Sequence, residues 1–140
     1  MSLFQDLEPW QMLVDDPVIL AVGWISRDAA FPTGPTPAPV FEKLTDLCRN
    51  PWAPAVAAGF HLCGICQYDG VSLKDEVYIP GQGCIYVAPT GILHYIAAHW
   101  YAPPPVFVQA VLDCPPMRSM AYKHALLRNG GRVLLPSYRA

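Results

Sequence analysis

Charge is scarce in this chain: Asp, Glu, Lys and Arg make up 14% of its 140 residues, against 53% hydrophobic. That composition excludes a disordered polypeptide, and the length fits one domain with one core. A net charge of −2 points by itself to neither a nucleic acid nor a membrane. The scarcity is uneven. Residues 1–16 hold Asp6, Glu8, Asp15 and Asp16 and no base, whereas no acid follows Asp113 and Arg118, Lys123, Arg128, Arg132 and Arg139 do. The expectation is that the acidic 1–16 segment and the basic 117–140 segment lie close and neutralise one another, within the chain or across a homodimer. The competing expectation is that the basic segment docks on an acidic partner or a phosphate backbone.

Residues 77–112 contain no Asp, Glu, Lys or Arg at all. A membrane-spanning helix needs about twenty unbroken apolar residues. Here Pro80, Gly81, Gly83, Pro89, Gly91 and the 103–105 proline run interrupt the stretch, so it reads as buried strands and short helices. A basic leader is missing from MSLFQDLEPW, so no secretory signal is expected. Five cysteines are an odd number, two of them at C-x-x-C spacing. A disulfide framework favours an even set, so the expected setting is a reducing, cytoplasmic one with thiolates available for metal.

Catalytic signatures are also missing. His61 is followed by Leu62-Cys63, so the deaminase H-x-E is absent. There is no H-E-x-x-H and no G-x-S-x-G, and Gly81-Gln82-Gly83 is too short to cradle phosphate.

Sixteen prolines punctuate what is present. Residues 1–16 suggest a short amphipathic helix broken at Pro9, and 18–25 (VILAVGWI) a buried strand. A stiff proline loop at 31–39 precedes a helix over 40–48, whose stripe is Val40, Phe41, Leu44, Leu47 and Cys48. An apolar strand over 52–60 leads into His61. Strands at 76–80 and 84–88, joined by Gly81-Gln82-Gly83, make a β-hairpin. Helices follow over 90–100, with Pro89 in the first turn, over 106–112, and over 119–128; 133–136 returns as a strand or an extended tail. Strands and helices mix without βαβ alternation, so the class is α+β.

The strongest chemical signal is Cys63-x-x-Cys66, then the hairpin, then a helix bearing His94 and His99. Zinc takes four thiolate or imidazole ligands in a tetrahedron. Two cysteines on a tight turn, eased by Gly64, supply two of them, and histidines on a neighbouring helix supply the others. The order of elements is that of a zinc knuckle, hairpin and helix of the treble-clef kind. His61 competes for the fourth place, because it lies two residues before Cys63 and shares a strand face with it. His94 and His99 stand about 140° apart on an α-helix, so both reach one ion only if the helix loosens before His99. The fourth ligand therefore stays open between His99 and His61. Against the metal stand an accidental C-x-x-C beside buried histidines, and a thioredoxin-like redox pair that lacks its usual strand-to-long-helix setting.

Cys48, Cys84 and Cys114 are expected to pack as small apolar residues, Cys84 being the best stand-in ligand. Tyr95, Trp100 and Tyr101 flank the proposed ligands. Trp100, Tyr101 and the proline run make a candidate docking patch, with Arg118, Lys123 and Arg128 on the basic side.

The strings GFHLCGICQ, IYVAP, HYIAAHWYAPP and FVQAVL resemble small uncharacterised bacterial proteins with the same order of pieces, H-x-C-x-x-C followed by H-Y-x3-H-x-Y-x-P-P. The resemblance covers roughly residues 51–116 and implies a bacterial, cytosolic, metal-binding protein, without naming a substrate. Together these readings point to a zinc-stabilised, non-enzymatic module that binds, regulates or neutralises a partner, most readily a protein. A zinc hydrolase or lyase with an open metal site, using Asp69, Asp75 or Glu76 as base, is the alternative. A nucleic-acid-binding zinc protein is the third.

Overall fold

The computed structural model describes residues 5–10, 17–25, 30–53, 61–62, 72–73 and 76–134, the two short pairs as backbone only. In chain order the elements are strand β1 (Ile19–Ala21), helix α1 (Ala38–Arg49), strands β2 (His61–Leu62), β3 (Ser72–Leu73), β4 (Glu76–Pro80) and β5 (Ile85–Pro89), then helices α2 (Ile92–His99), α3 (Pro105–Asp113) and α4 (Met120–Arg128). A 3-10 turn at Gly131–Leu134 follows. The class is α+β.

The charge-free stretch is core. All residues of β4 and β5 are buried. They pair antiparallel, Glu76 with Pro89 through to Pro80 with Ile85, and β1 joins β5 in parallel, Ile19 opposite Ile85. The sheet order is therefore β1-β5-β4, with β5 in the middle. Helices α1, α3 and α4 all pack on β4, and α2 packs on α1. Burial on both faces removes the usual strand alternation, which is why these strands read as continuous apolar runs. A fully buried Ile or Val such as Ile85 or Val87 contributes about 1.5–3 kcal/mol through the hydrophobic effect.

Prolines set the helix starts. Pro39 lies in the first turn of α1 and Pro105 in that of α3, where a missing N–H leaves no bond unmade. In α1, Val40, Leu44 and Leu47 form the buried stripe. Helix α4 begins at Ser119, whose side chain accepts the Tyr122 N–H at 3.1 Å.

An aromatic cluster fixes the packing around β4. Trp10 meets Trp24 and Tyr78 with ring centroids 6.0 Å apart, and Trp52 lies 5.9 Å from Tyr78. The Trp24 indole donates to the Val87 carbonyl at 2.9 Å, and the Tyr122 hydroxyl donates to the Tyr78 carbonyl. Trp10, Trp24 and Trp52 are thus anchors, while Trp100 is 58% exposed.

Several expectations are corrected. Residues 5–10 are not helical. Pro9 bridges Leu20, and Leu7 and Trp10 donate backbone N–H groups to the Ala21 and Ile19 carbonyls. A free sheet edge offers that segment more hydrogen bonds than one turn of helix broken at Pro9 would. Pro89 ends β5 opposite Glu76 instead of opening a helix, and α2 starts only at Ile92. Residues 133–134 belong to the 3-10 turn, not to a strand. Residues 52–53 lie outside regular structure, and the rest of the expected 52–60 strand falls outside the described residues. The expected neutralisation of the two ends is not what holds Asp6, whose carboxylate instead accepts the Gly23 N–H at 2.9 Å and the Tyr101 hydroxyl at 2.7 Å.

Candidate functional site

The end of α2 carries the two helical histidines. The Trp100 N–H bonds the Tyr95 carbonyl, five residues back, and the Tyr101 N–H reaches the same carbonyl at 3.2 Å. A bond spanning five residues is the π-type pattern, wider than the α-helical turn. Trp100 takes the left-handed conformation, φ 61° and ψ 21°, which closes the turn.

That conformation costs a residue with a Cβ about 1–2 kcal/mol, and neighbouring bonds hold it. The Gly34 N–H donates to the Trp100 carbonyl at 3.0 Å and the Ala102 N–H to the Pro32 carbonyl at 3.0 Å. Thr33 bridges Tyr101, whose ring meets Phe31 edge-on. The proline loop therefore serves as a backbone clamp on the end of α2.

The outcome is a histidine pair. His94 Nε2 and His99 Nε2 stand 3.2 Å apart, with ring centroids 4.9 Å apart and planes at 77°. Tyr95, fully buried, lies beside both rings. Partial burial, then the neighbouring His99 charge, lowers the His94 pKa from the ordinary value. Neutral imidazole is the metal-ligating form. With Zn–N bonds of about 2.0–2.1 Å, two nitrogens on one tetrahedral ion stand about 3.3 Å apart. The observed 3.2 Å is also the length of a hydrogen bond in which one ring donates to the other. Helix α2 keeps its α-helical form through His99, and the wide bonds are made beyond it, by Trp100 and Tyr101.

Cys63 and Cys66 fall outside the described residues. Of His61, only the backbone is described. It pairs with Leu73, and Leu62 with Ser72, so a two-stranded antiparallel ribbon brackets the 63–71 segment that bears both cysteines. Among the described residues no group of three or more His, Cys, Asp and Glu side chains gathers around one point.

The proposed docking residues separate. Trp100 is exposed, but Tyr101 is buried and bonded to Asp6, so it is a packing residue and not a surface one. Arg118 donates from Nε and Nη2 to the Asn50 and Pro51 carbonyls, at 3.3 and 3.1 Å. It fastens the end of α1, and its reach toward a partner is reduced accordingly. Lys123 is half-buried and Arg128 exposed on α4.

The remaining cysteines pack as apolar residues. Cys114 is buried, and Cys48 and Cys84 lie half-buried against the core. Burial pushes the Cys48 thiol up to about 12. It raises Cys114 to about 11 against the opposing pull of Lys43. Neither is a thiolate at neutral pH. Cys84 sits in the β4–β5 turn, where Tyr86 is its hydrogen-bond neighbour.

Two features escape sequence reading. Lys43 of α1 donates to the carbonyls of Val111, Leu112 and Cys114 at 3.1, 3.3 and 2.8 Å, capping the end of α3. A cleft of about 390 Å³ opens between the β4–β5 turn and α3. Lys43 lies 68 residues before Val111, so no local pattern announces the cap.

No helix among the described residues is long and apolar enough to cross a membrane. No curated protein and no solved structure matches the chain. A family model does match, over residues 2–112, and the chain belongs to that family, a domain of unknown function (DUF7919).

Proposed function

We propose that the chain is a zinc-stabilised binding module in which His94 and His99 hold one zinc ion together with Cys63 and Cys66. The observation that carries this reading is the 3.2 Å separation of the two Nε2 atoms. It is supported by the ribbon that brackets the cysteine segment. With two histidines provided by α2, His61 is left outside the ligand set. The knuckle, hairpin and helix would then be joined through the metal in the treble-clef order, and the ion would add folding energy to a small core.

Two thiolates and two imidazoles fill a tetrahedron, so the site is closed and structural, and the working role is partner binding and not hydrolysis. Exposed Arg128 and Arg132 give the far end of the chain a positive face, suited to an acidic protein.

Metal content of the folded, tag-free protein tests the site. One zinc per chain is expected in the wild type and in His61→Ala, and loss in His94→Ala and His99→Ala. Zinc retained by His99→Ala but lost by His61→Ala would move the fourth ligand to His61. No zinc in any sample would end the reading. Cobalt substitution separates closed from open sites: the visible spectrum of a four-ligand site is indifferent to added anions, whereas an exchangeable water makes it respond.

A further inference from the structure

The cleft between the β4–β5 turn and α3 is built, and its walls are fixed by the fold. Tyr86 forms the floor. Its ring stands against Phe107 with centroids 5.8 Å apart and lies directly on the Gly81 backbone. A Cβ at residue 81 would come within 2.6 Å of the Tyr86 ring, so a glycine is needed for that contact. The turn itself is pinned. The Gly81 N–H donates to the Cys84 carbonyl at 2.8 Å, and the Gly83 N–H to Asn129 Oδ1 at 2.8 Å. Gly83 has φ +76°, a conformation that glycine adopts without strain.

The rim is polar and of one sign. Gln82 projects from the turn side, and Gln109 and Asp113 from α3, with Gln109 Nε2 donating to Asp113 Oδ2 at 3.0 Å. Val106 adds an apolar edge. No Lys or Arg is among the described residues that line the cleft. The nearby ammonium of Lys43 is directed to the carbonyls at the end of α3.

We propose that this cleft takes a small organic cation, an ammonium or guanidinium on a short carbon chain. The Asp113 carboxylate supplies the charge, the glutamine carbonyls supply further acceptors, and the Tyr86 floor and Val106 cover the chain. The volume stands at the small end of ligand pockets, which suits a molecule of metabolite size. Among the described lining residues the one charge is negative, which disfavours phosphates and carboxylates. This assignment does not depend on the zinc reading.

The test is an amide NMR titration of the full chain, as purified, with agmatine. Butyramide and butyrate are the uncharged and anionic controls, and N-acetylarginine methylamide mimics an arginine side chain in a protein. Saturable shifts at Gln82, Gln109 and Asp113 are expected with agmatine and not with butyramide or butyrate. Asp113→Asn, an exposed substitution that keeps an oxygen for Gln109, should weaken agmatine about tenfold. No saturable shift, equal shifts with butyramide, or unchanged affinity in Asp113→Asn would overturn the assignment. Tighter binding of the arginine mimic than of agmatine would transfer the site from a free cation to a protein side chain, and would overturn the metabolite part.

Discussion

Helices α2 and α3 end in opposite ways. The end of α3 is closed by a cation from another helix, Lys43 of α1, which reaches the carbonyls of Val111, Leu112 and the capping residue Cys114. The end of α2 is widened instead, with a strained Trp100 held by backbone bonds from the proline loop. At α3 a charge-assisted cap joins two helices and stabilises the fold. At α2 a residue with a Cβ takes the left-handed turn, and just before it two histidine nitrogens stand 3.2 Å apart. Leu7 and Arg118 share the left-handed region with Trp100, so the strain alone does not mark a site; what distinguishes the end of α2 is the close approach of the two histidines.

The sharpest way to break the contrast is Lys43→Met, which keeps the apolar stem and deletes the ammonium. Hydrogen bonds from a charged donor to helix-end carbonyls are replaced here only in part by water, so the expected loss is about 1–2 kcal/mol of unfolding free energy. Metal content should not change. Urea unfolding of Lys43→Met and wild type, with zinc measured on both, reads the two quantities together. Zinc loss in Lys43→Met would mean that the end of α3 supports the site as well.

Acid distinguishes the helix ends next. The His94 pKa is lowered by partial burial and then by the adjoining His99, so the unfolded chain binds its proton more readily than the folded one. Stability of the metal-free chain should therefore be insensitive to this group above about pH 6.5, the ordinary histidine value. It should fall as the pH drops through that value toward the lowered one. His94→Gln should remove that part of the pH dependence. If the two profiles coincide, neither burial nor His99 lowers the His94 pKa in the folded chain.

The sequence already carries much of this architecture, and particular residues show where it stops. The hairpin is legible because Gly81-Gln82-Gly83 separates two β-branched runs, and the observed strands differ from the reading by one residue. Helix α1 is legible from Val40, Leu44 and Leu47, all buried. At the site, spacing alone suggests that His94 and His99 meet only on a widened turn, whereas their Nε2 atoms approach within a helix that stays α-helical through His99. Nor does spacing state that Tyr95 accepts from both Trp100 and Tyr101, because that choice is made by Pro32, Thr33 and Gly34, more than sixty residues earlier in the chain. Residues 5–10 mislead for the same reason: their acidic and apolar spacing suits a helix, yet the edge of β1 offers a better set of partners. Tyr101, grouped with Trp100 by sequence, is separated from it by the turn, which sends one ring out and the other onto Asp6. The cleft beside α3 arises from elements distant in sequence, and nothing in the composition of either announces it.

The smallest effect isolates the strain itself. Trp100→Gly and Trp100→Ala both delete an indole that is 58% exposed, so lost packing is common to the two and cancels in their difference. What remains is the cost of a Cβ at φ 61°, offset by the greater freedom of glycine in the unfolded chain. The first term is about 1–2 kcal/mol and the second about 0.5–1 kcal/mol, so Trp100→Gly should be the more stable of the pair by roughly 0.5–1 kcal/mol. Both should keep zinc, because the clamp on residue 100 acts through its carbonyl and not through its side chain. If alanine equals or exceeds glycine, the left-handed turn is not occupied in solution.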